Sequence, residues 1–167
     1  MRLRRAVLLA AFVLCGSVQA GSLDAAKLAF TGGAHEWPSA VAQFSTAAAQ
    51  GDGAASYYLG LMQRNGMGTP RDSVRAAASM QVAADAGIPA AMFILSNMLY
   101  AGEGVARDER AGRRWLEVAA EHDYPPAIQQ VAMAVRDGAL GYERDEVRAE
   151  QLVRELAHAM KHQPREP

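Results

Sequence analysis

Cysteine is almost missing from this 167-residue chain: the only one is Cys15, so no disulfide can form within it. Aromatic residues make up 7%, and β-branched residues are sparse, which disfavours a sheet. The sequence contains no nucleophile elbow, phosphate loop, zinc motif or paired-carboxylate arrangement. Basic excess is missing too. The net charge is −1, which argues against nucleic acid, a ligand that selects basic surfaces. What remains is 50% hydrophobic and 21% charged, rich in Ala, Leu, Met, Arg and Glu. That composition suits a helical globular or repeat domain and excludes disorder.

Residues 1–20 differ from the rest. Arg2, Arg4 and Arg5 precede an uninterrupted apolar run from Ala6 to Leu14, and Val18-Gln19-Ala20 ends on small residues. This pattern predicts a secretory signal cleaved after Ala20. It is too short for a spanning helix, which needs about 20 apolar residues. Leu14 before Cys15 does not fit a lipidation site. Cleavage would remove three arginines, leaving 14 Lys+Arg against 18 Asp+Glu, a charge of −4, and no cysteine. A cysteine-free chain is safe in an oxidising compartment. The expected location is periplasmic or secreted, with no stable membrane insertion after cleavage.

Residues 51–86 and 87–122 align without a gap and share twelve identities in 36. Gly51, Ala54, Ala55, Leu59 and Met62 fall on Gly87, Ala90, Ala91, Leu95 and Met98. Gly66, Gly68, Arg71 and Asp72 fall on Gly102, Gly104, Arg107 and Asp108, and Val82-Ala83-Ala84 falls on Val118-Ala119-Ala120. A divergent copy occupies 123–160. Ala127, Val131 and Gly138 keep the spacing, then one extra loop residue lets Asp145 and Ala149 answer Asp72 and Ala76. A partial unit fills 21–50, and 161–167 is expected to be a flexible tail.

Each unit reads as two helices. In residues 54–65, helix A, Ala55, Leu59 and Met62 recur at the spacing of a one-sided helix. Gly66-Met67-Gly68 breaks it, and Asp72 stands where a carboxylate caps the next helix. Helix B runs from Ser73 to Ala86, turning Ala76, Met80, Ala83 and Ala84 inward. Pro89 then opens the following helix. Small residues let helices approach, while Leu59, Met80, Trp115 and Leu116 fill the gaps. One hairpin cannot bury its apolar face alone, so stacking makes the core.

These residues resemble the Sel-1-like repeat family, relatives of the tetratricopeptide repeats. The resemblance rests on Ala55, Leu59 and Gly60, the Gly66 and Gly68 loop, Arg71-Asp72, Ala76, and Ala83, Ala84 and Gly87. Trp115 stands at the family's aromatic position. Ser79 replaces that aromatic in the first repeat, Ser96 and Ala132 replace Gly, and Gly112 replaces Ala. The resemblance implies an all-α fold, a short right-handed α/α superhelix of helix–turn–helix repeats. It also implies that helix A lines the concave side and carries partner-binding residues. These are Tyr57, Leu61, Arg64 and Asn65, then Phe93, Asn97 and Tyr100, then Gln129, Met133 and Arg136.

No residue is assigned a catalytic role, and no cofactor or metal is expected. Gly66-Met67-Gly68 and Gly102-Glu103-Gly104 join two helices instead of following a strand, so they are not phosphate cradles. Glu155, His158 and His162 share one face of the last helix, where histidines suit the negative dipole end and solvent. The expected function is a non-enzymatic interaction module of the cell envelope, an adaptor, scaffold or regulator, with a protein or peptide partner. A peptidoglycan- or β-lactam-related binder or hydrolase remains an alternative, as does metal binding by the last helix.

Overall fold

The computed structural model describes residues 23–162. The expected export segment at 1–20 and residues 163–167 of the expected tail lie outside them. Among the described residues every regular element is a helix. The first, α1, covers 23–31. It is followed by α2 (Trp37–Ala49), α3 (Gly53–Asn65), α4 (Ser73–Asp85) and α5 (Pro89–Ala101). Then come α6 (Glu109–Glu121), α7 (Pro125–Asp137) and α8 (Glu146–His162). The last helix therefore extends through residues 161 and 162, the first two of the expected tail.

Helices α2 to α7 are each 13 residues long, about 20 Å at 1.5 Å per residue. Their starts are chemically marked. The carboxylates of Asp52, Asp72, Asp108 and Asp145 accept hydrogen bonds from the N–H of Ala55, Arg75, Ala111 and Arg148, all at 2.9 Å. Each bond satisfies one of the four amide groups that a helix start leaves open. Helices α5 and α7 lack a side-chain cap and begin with Pro89 and Pro125, which have no N–H to satisfy at that point. Gly66, Gly102 and Gly138 close α3, α5 and α7.

Each helix from α2 onward packs on its neighbours in chain order, giving an all-α solenoid. Helix B buries Ala76, Met80, Ala83 and Ala84 almost completely. Phe44 and Leu116 hold the Met80 position in the flanking units and are likewise fully buried. Helix A contributes Ala55 and Met62, Ala91 and Met98, then Ala127 and Val131. Burying one such Met or Leu side chain stabilises the fold by about 1.5–3 kcal/mol.

The glycine loop also ties neighbouring repeats together. A Cβ on Gly104 would overlap the Ser73 carbonyl at the start of α4, and one on Gly68 would meet the Trp37 carbonyl at the start of α2. The loop after helix A therefore rests on the preceding helix B. Leu140 holds this position in the last unit with φ +52°, and the extra residue there is Gly141. The Gly141 carbonyl accepts a hydrogen bond from Arg113 of α6 at 2.7 Å.

Candidate functional site

The ten residues read as partner-binding form one stripe on the three A helices, at spacings of four and three or four. The structure gives the three repeats different roles. Tyr57, Leu61, Phe93 and Tyr100 are half-buried and pack against the core cluster that runs from α4 to α8. Tyr57 meets Tyr58 edge-on at 5.3 Å. Phe93 contacts Tyr124, at the threshold of α7, at 5.6 Å. Gln129, Met133 and Arg136 are exposed on α7.

Two polar members of the stripe, Arg64 and Asn97, link one repeat to the next. Gln130 donates to the Asn97 side-chain oxygen at 3.0 Å, joining α7 to α5. Asn65 donates to the Leu61 carbonyl one turn back. Arg64 forks onto Glu103 in the following repeat's loop, with Nη2 to Oε2 at 2.7 Å and Nε to Oε1 at 3.1 Å. Arg71 stands 3.6 Å from the same carboxylate. The hydrogen bonds from Arg64, with its charge and that of Arg71, hold the Glu103 carboxyl below the usual carboxylate range against opposing burial. The same pairing raises the Arg64 guanidinium above its ordinary value. Arg136 pairs with its neighbour Asp137.

Tyr100 replaces Arg64 at the next repeat's equivalent position, and the residues around it differ accordingly. Its ring lies where a Cβ on Gly112 would stand 3.2 Å from two ring carbons. The change from Ala76 to Gly112 thus makes room for an aromatic ring. Burial pushes the Tyr100 hydroxyl above its ordinary pKa. It donates a long bond, 3.4 Å, to the Leu140 carbonyl.

Two grooves flank α7. One, of ≈ 420 Å³, is lined by Phe93, Pro126, Gln129, Met133 and Leu140. The other, of ≈ 1050 Å³, lies between α7 and α8 and includes Gln129, Met133, Arg136 and Val153. The structure thus brings Phe93, Gln129 and Met133 to one hollow, while Tyr57, Leu61, Arg64 and Asn65 lie outside it. These grooves offer a ring, a thioether, amides and a guanidinium, which is the chemistry of recognition. On α8, Glu155 and His158 are exposed, and the His162 side chain lies outside the described residues. Among the described residues no three His, Cys, Asp or Glu side chains are placed to hold a metal ion.

A further cluster was not read from the sequence. Arg113 of α6 lies over the Tyr142 ring at 4.4 Å and bonds Glu117 at 3.1 Å. With Arg144 and Arg148 it borders a hollow of ≈ 710 Å³ at the start of α8. Burial and the nearby Glu117 push the Tyr142 hydroxyl far above its ordinary value. The extra loop residue was the available signal, because it marks where the third unit departs from the period.

The family model for the Sel1 repeat matches residues 53–88 and 89–124, each spanning one A helix, the glycine loop and one B helix. The chain carries two Sel1 repeats. This Sel1-repeat solenoid is similar to three solved structures. A Sel1 repeat protein from Oxalobacter formigenes superposes with TM-score 0.75 at 19% identity, over 89% of this chain and 58% of that one. A protective antigen of uropathogenic Escherichia coli with an SLR fold gives 0.76 at 31% identity, over 84% and 30%. Cysteine-rich protein B of Helicobacter pylori gives 0.51 at 22% identity, over 65% and 86%. The chain thus spans about three fifths and under a third of the first two structures. No curated protein matches the chain. Among the described residues no helix is long and apolar enough to cross a membrane.

Proposed function

We propose that this Sel1-repeat solenoid is an exported, non-enzymatic adaptor or scaffold of the cell envelope that holds a protein or peptide segment on its helix A face. Sel1 repeats mediate protein–protein interaction, and stacked helix pairs create extended binding surfaces. The observation that carries the reading is the groove between α5 and α7. Phe93, Gln129 and Met133 converge there around a mostly apolar hollow, with Met133 50% exposed. A short apolar side chain flanked by backbone polar groups matches that lining. The basic, apolar and small-residue segments of residues 1–20 support export.

The test uses a photo-crosslinking residue at Gln129 and pull-down from envelope extract. Met133→Asp is expected to lose partners held by the native chain, with an unchanged melting temperature because the side chain is half exposed. Recovery of the same partners at the same strength would sink the proposal. Intact mass of the exported protein is expected to show Gly21 as the first residue. A full-length N-terminus in that fraction would count against export by this segment.

A further inference from the structure

The last hairpin leaves open a surface that each earlier repeat closes. Phe44, Met80 and Leu116 occupy one position of helix B and are 0% exposed. Allowing for the extra loop residue, Val153 of α8 holds the same position and is 56% exposed. The reason is stacking. Helix α4 packs on α5 and α6 packs on α7, whereas no described helix follows α8. Met133 and Met160, 50% and 65% exposed, widen the apolar patch. The ≈ 1050 Å³ groove between α7 and α8 contains Met133, Val153 and Leu156, with Glu146, Glu150 and Arg154 at its edge.

The order of charges identifies the occupant. Glu146, Glu150 and Arg154 stand four residues apart on one strip of α8. The acids precede Val153 and the base follows it. A second α8 laid antiparallel, about a two-fold axis near Val153, brings Glu150 of each copy opposite Arg154 of the other. A parallel arrangement would set like charges together. Among the described residues Glu150 and Arg154 take part in no ion pair within the chain. Both signs on one patch are what a two-fold, self-complementary contact requires.

We propose that this face is a two-fold interface between two copies of the chain, with α8 antiparallel on α8, Val153 at the axis and Met133 covered at the rim. One helix face per copy lies at the small end of specific interfaces, below about 1,200 Å² in total. The dimer is therefore weak, with Kd on the order of micromolar. This interface shares Met133 with the α5–α7 groove, but Glu150, Val153 and Arg154 do not line that groove, so variants at these three positions test the dimer apart from partner binding.

Sedimentation equilibrium of the exported chain tests it. The native chain is expected to dimerise with concentration, and Val153→Asp to raise Kd by about tenfold or more. Glu150→Arg and Arg154→Glu are each expected to be monomeric, because each sets like charges against each other twice. An equimolar mixture of these two variants restores opposite charges at both contacts and is expected to dimerise again. Circular dichroism melts close to native establish that every variant folds. A native chain that stays monomeric at near-millimolar concentration overturns the proposal. So does a Val153→Asp dimer of native strength, or a mixture no more associated than its components.

Discussion

Individual positions show how one repeat conformation is met by different residues. Gly51, Gly87 and Asp123 stand one period apart, and all three adopt positive φ, +89°, +86° and +55°. Nothing lies within 4 Å of a Cβ built on Gly51 or Gly87, so the left-handed backbone is the main constraint there. Asp is among the few side chains that visit that region readily. Gly104 has the same need together with a collision against α4. Gly87→Ala is therefore expected to cost about 1–2 kcal/mol, and Gly104→Ala clearly more, since α4 or the loop must shift. Urea denaturation of both variants checks the order, and equal costs would contradict the close approach.

Ser96 offers the opposite case. It stands where the first repeat has Gly60 and the third has Ala132, it is 0% exposed, and its hydroxyl has no hydrogen-bond partner. A buried, unpaired hydroxyl costs roughly 1–3 kcal/mol by mutational measure. Ser96→Ala keeps the Cβ and removes that hydroxyl. The expected result is a gain of about 1 kcal/mol, read as a higher denaturation midpoint at constant slope. A loss of stability would mean that the hydroxyl is satisfied.

Among the elements, the loop after α5 is held at both ends. Gly104 rests on α4, and Glu103 beside it receives Arg64 from α3. The side chains of Arg64 and Glu103 are 33% and 21% exposed, so the forked contact is screened less than an open surface pair. Glu103→Gln is expected to cost about 1 kcal/mol at neutral pH. The sign with pH follows from the lowered Glu103 pKa. A carboxylate depressed on folding contributes stability above its unfolded pKa and loses it as pH falls through the folded value. The stability difference between native and Glu103→Gln proteins should therefore shrink toward zero in acid. A difference constant with pH would remove the ion pair as its source. The aspartate caps of α3, α4, α6 and α8 act on a shorter range, each within its own first turn.

For the whole molecule, the decisive property is that no hairpin is sealed by itself. The larger buried cluster runs from Ala76 to Ala149 and includes residues of five helices, α4 to α8. Leu116 sits fully buried within it. Leu116→Ala is expected to cost about 2–5 kcal/mol and to lower one shared unfolding transition by tryptophan fluorescence and far-ultraviolet circular dichroism alike, because neighbouring repeats lose their common interface. Separate transitions for the two probes would show that the repeats unfold independently. The same dependence leaves Val153 exposed on α8, the last described helix, where the proposed dimer would cover it.

Much of the architecture was legible because its causes are local. The 36-residue period, the inward Ala76, Met80, Ala83 and Ala84 face, the Asp72 cap and the loop glycines act within one or two helical turns. Their spacing therefore records them. The helix A stripe was legible as a stripe, but its covering was not. Arg64 meets Glu103 39 residues away, and Asn97 meets Gln130 33 residues away. A one-sided helix pattern is the same whether solvent or the next repeat lies opposite. Gly112 likewise reads as an eroded alanine until Tyr100 is seen filling the space. Sequence by itself determined the helices, their caps and their period, because those follow from bonds between near neighbours. Tertiary structure decided which stripe residues became inter-repeat ties and which remained open on α7 and α8, because that depends on which helix stacks next.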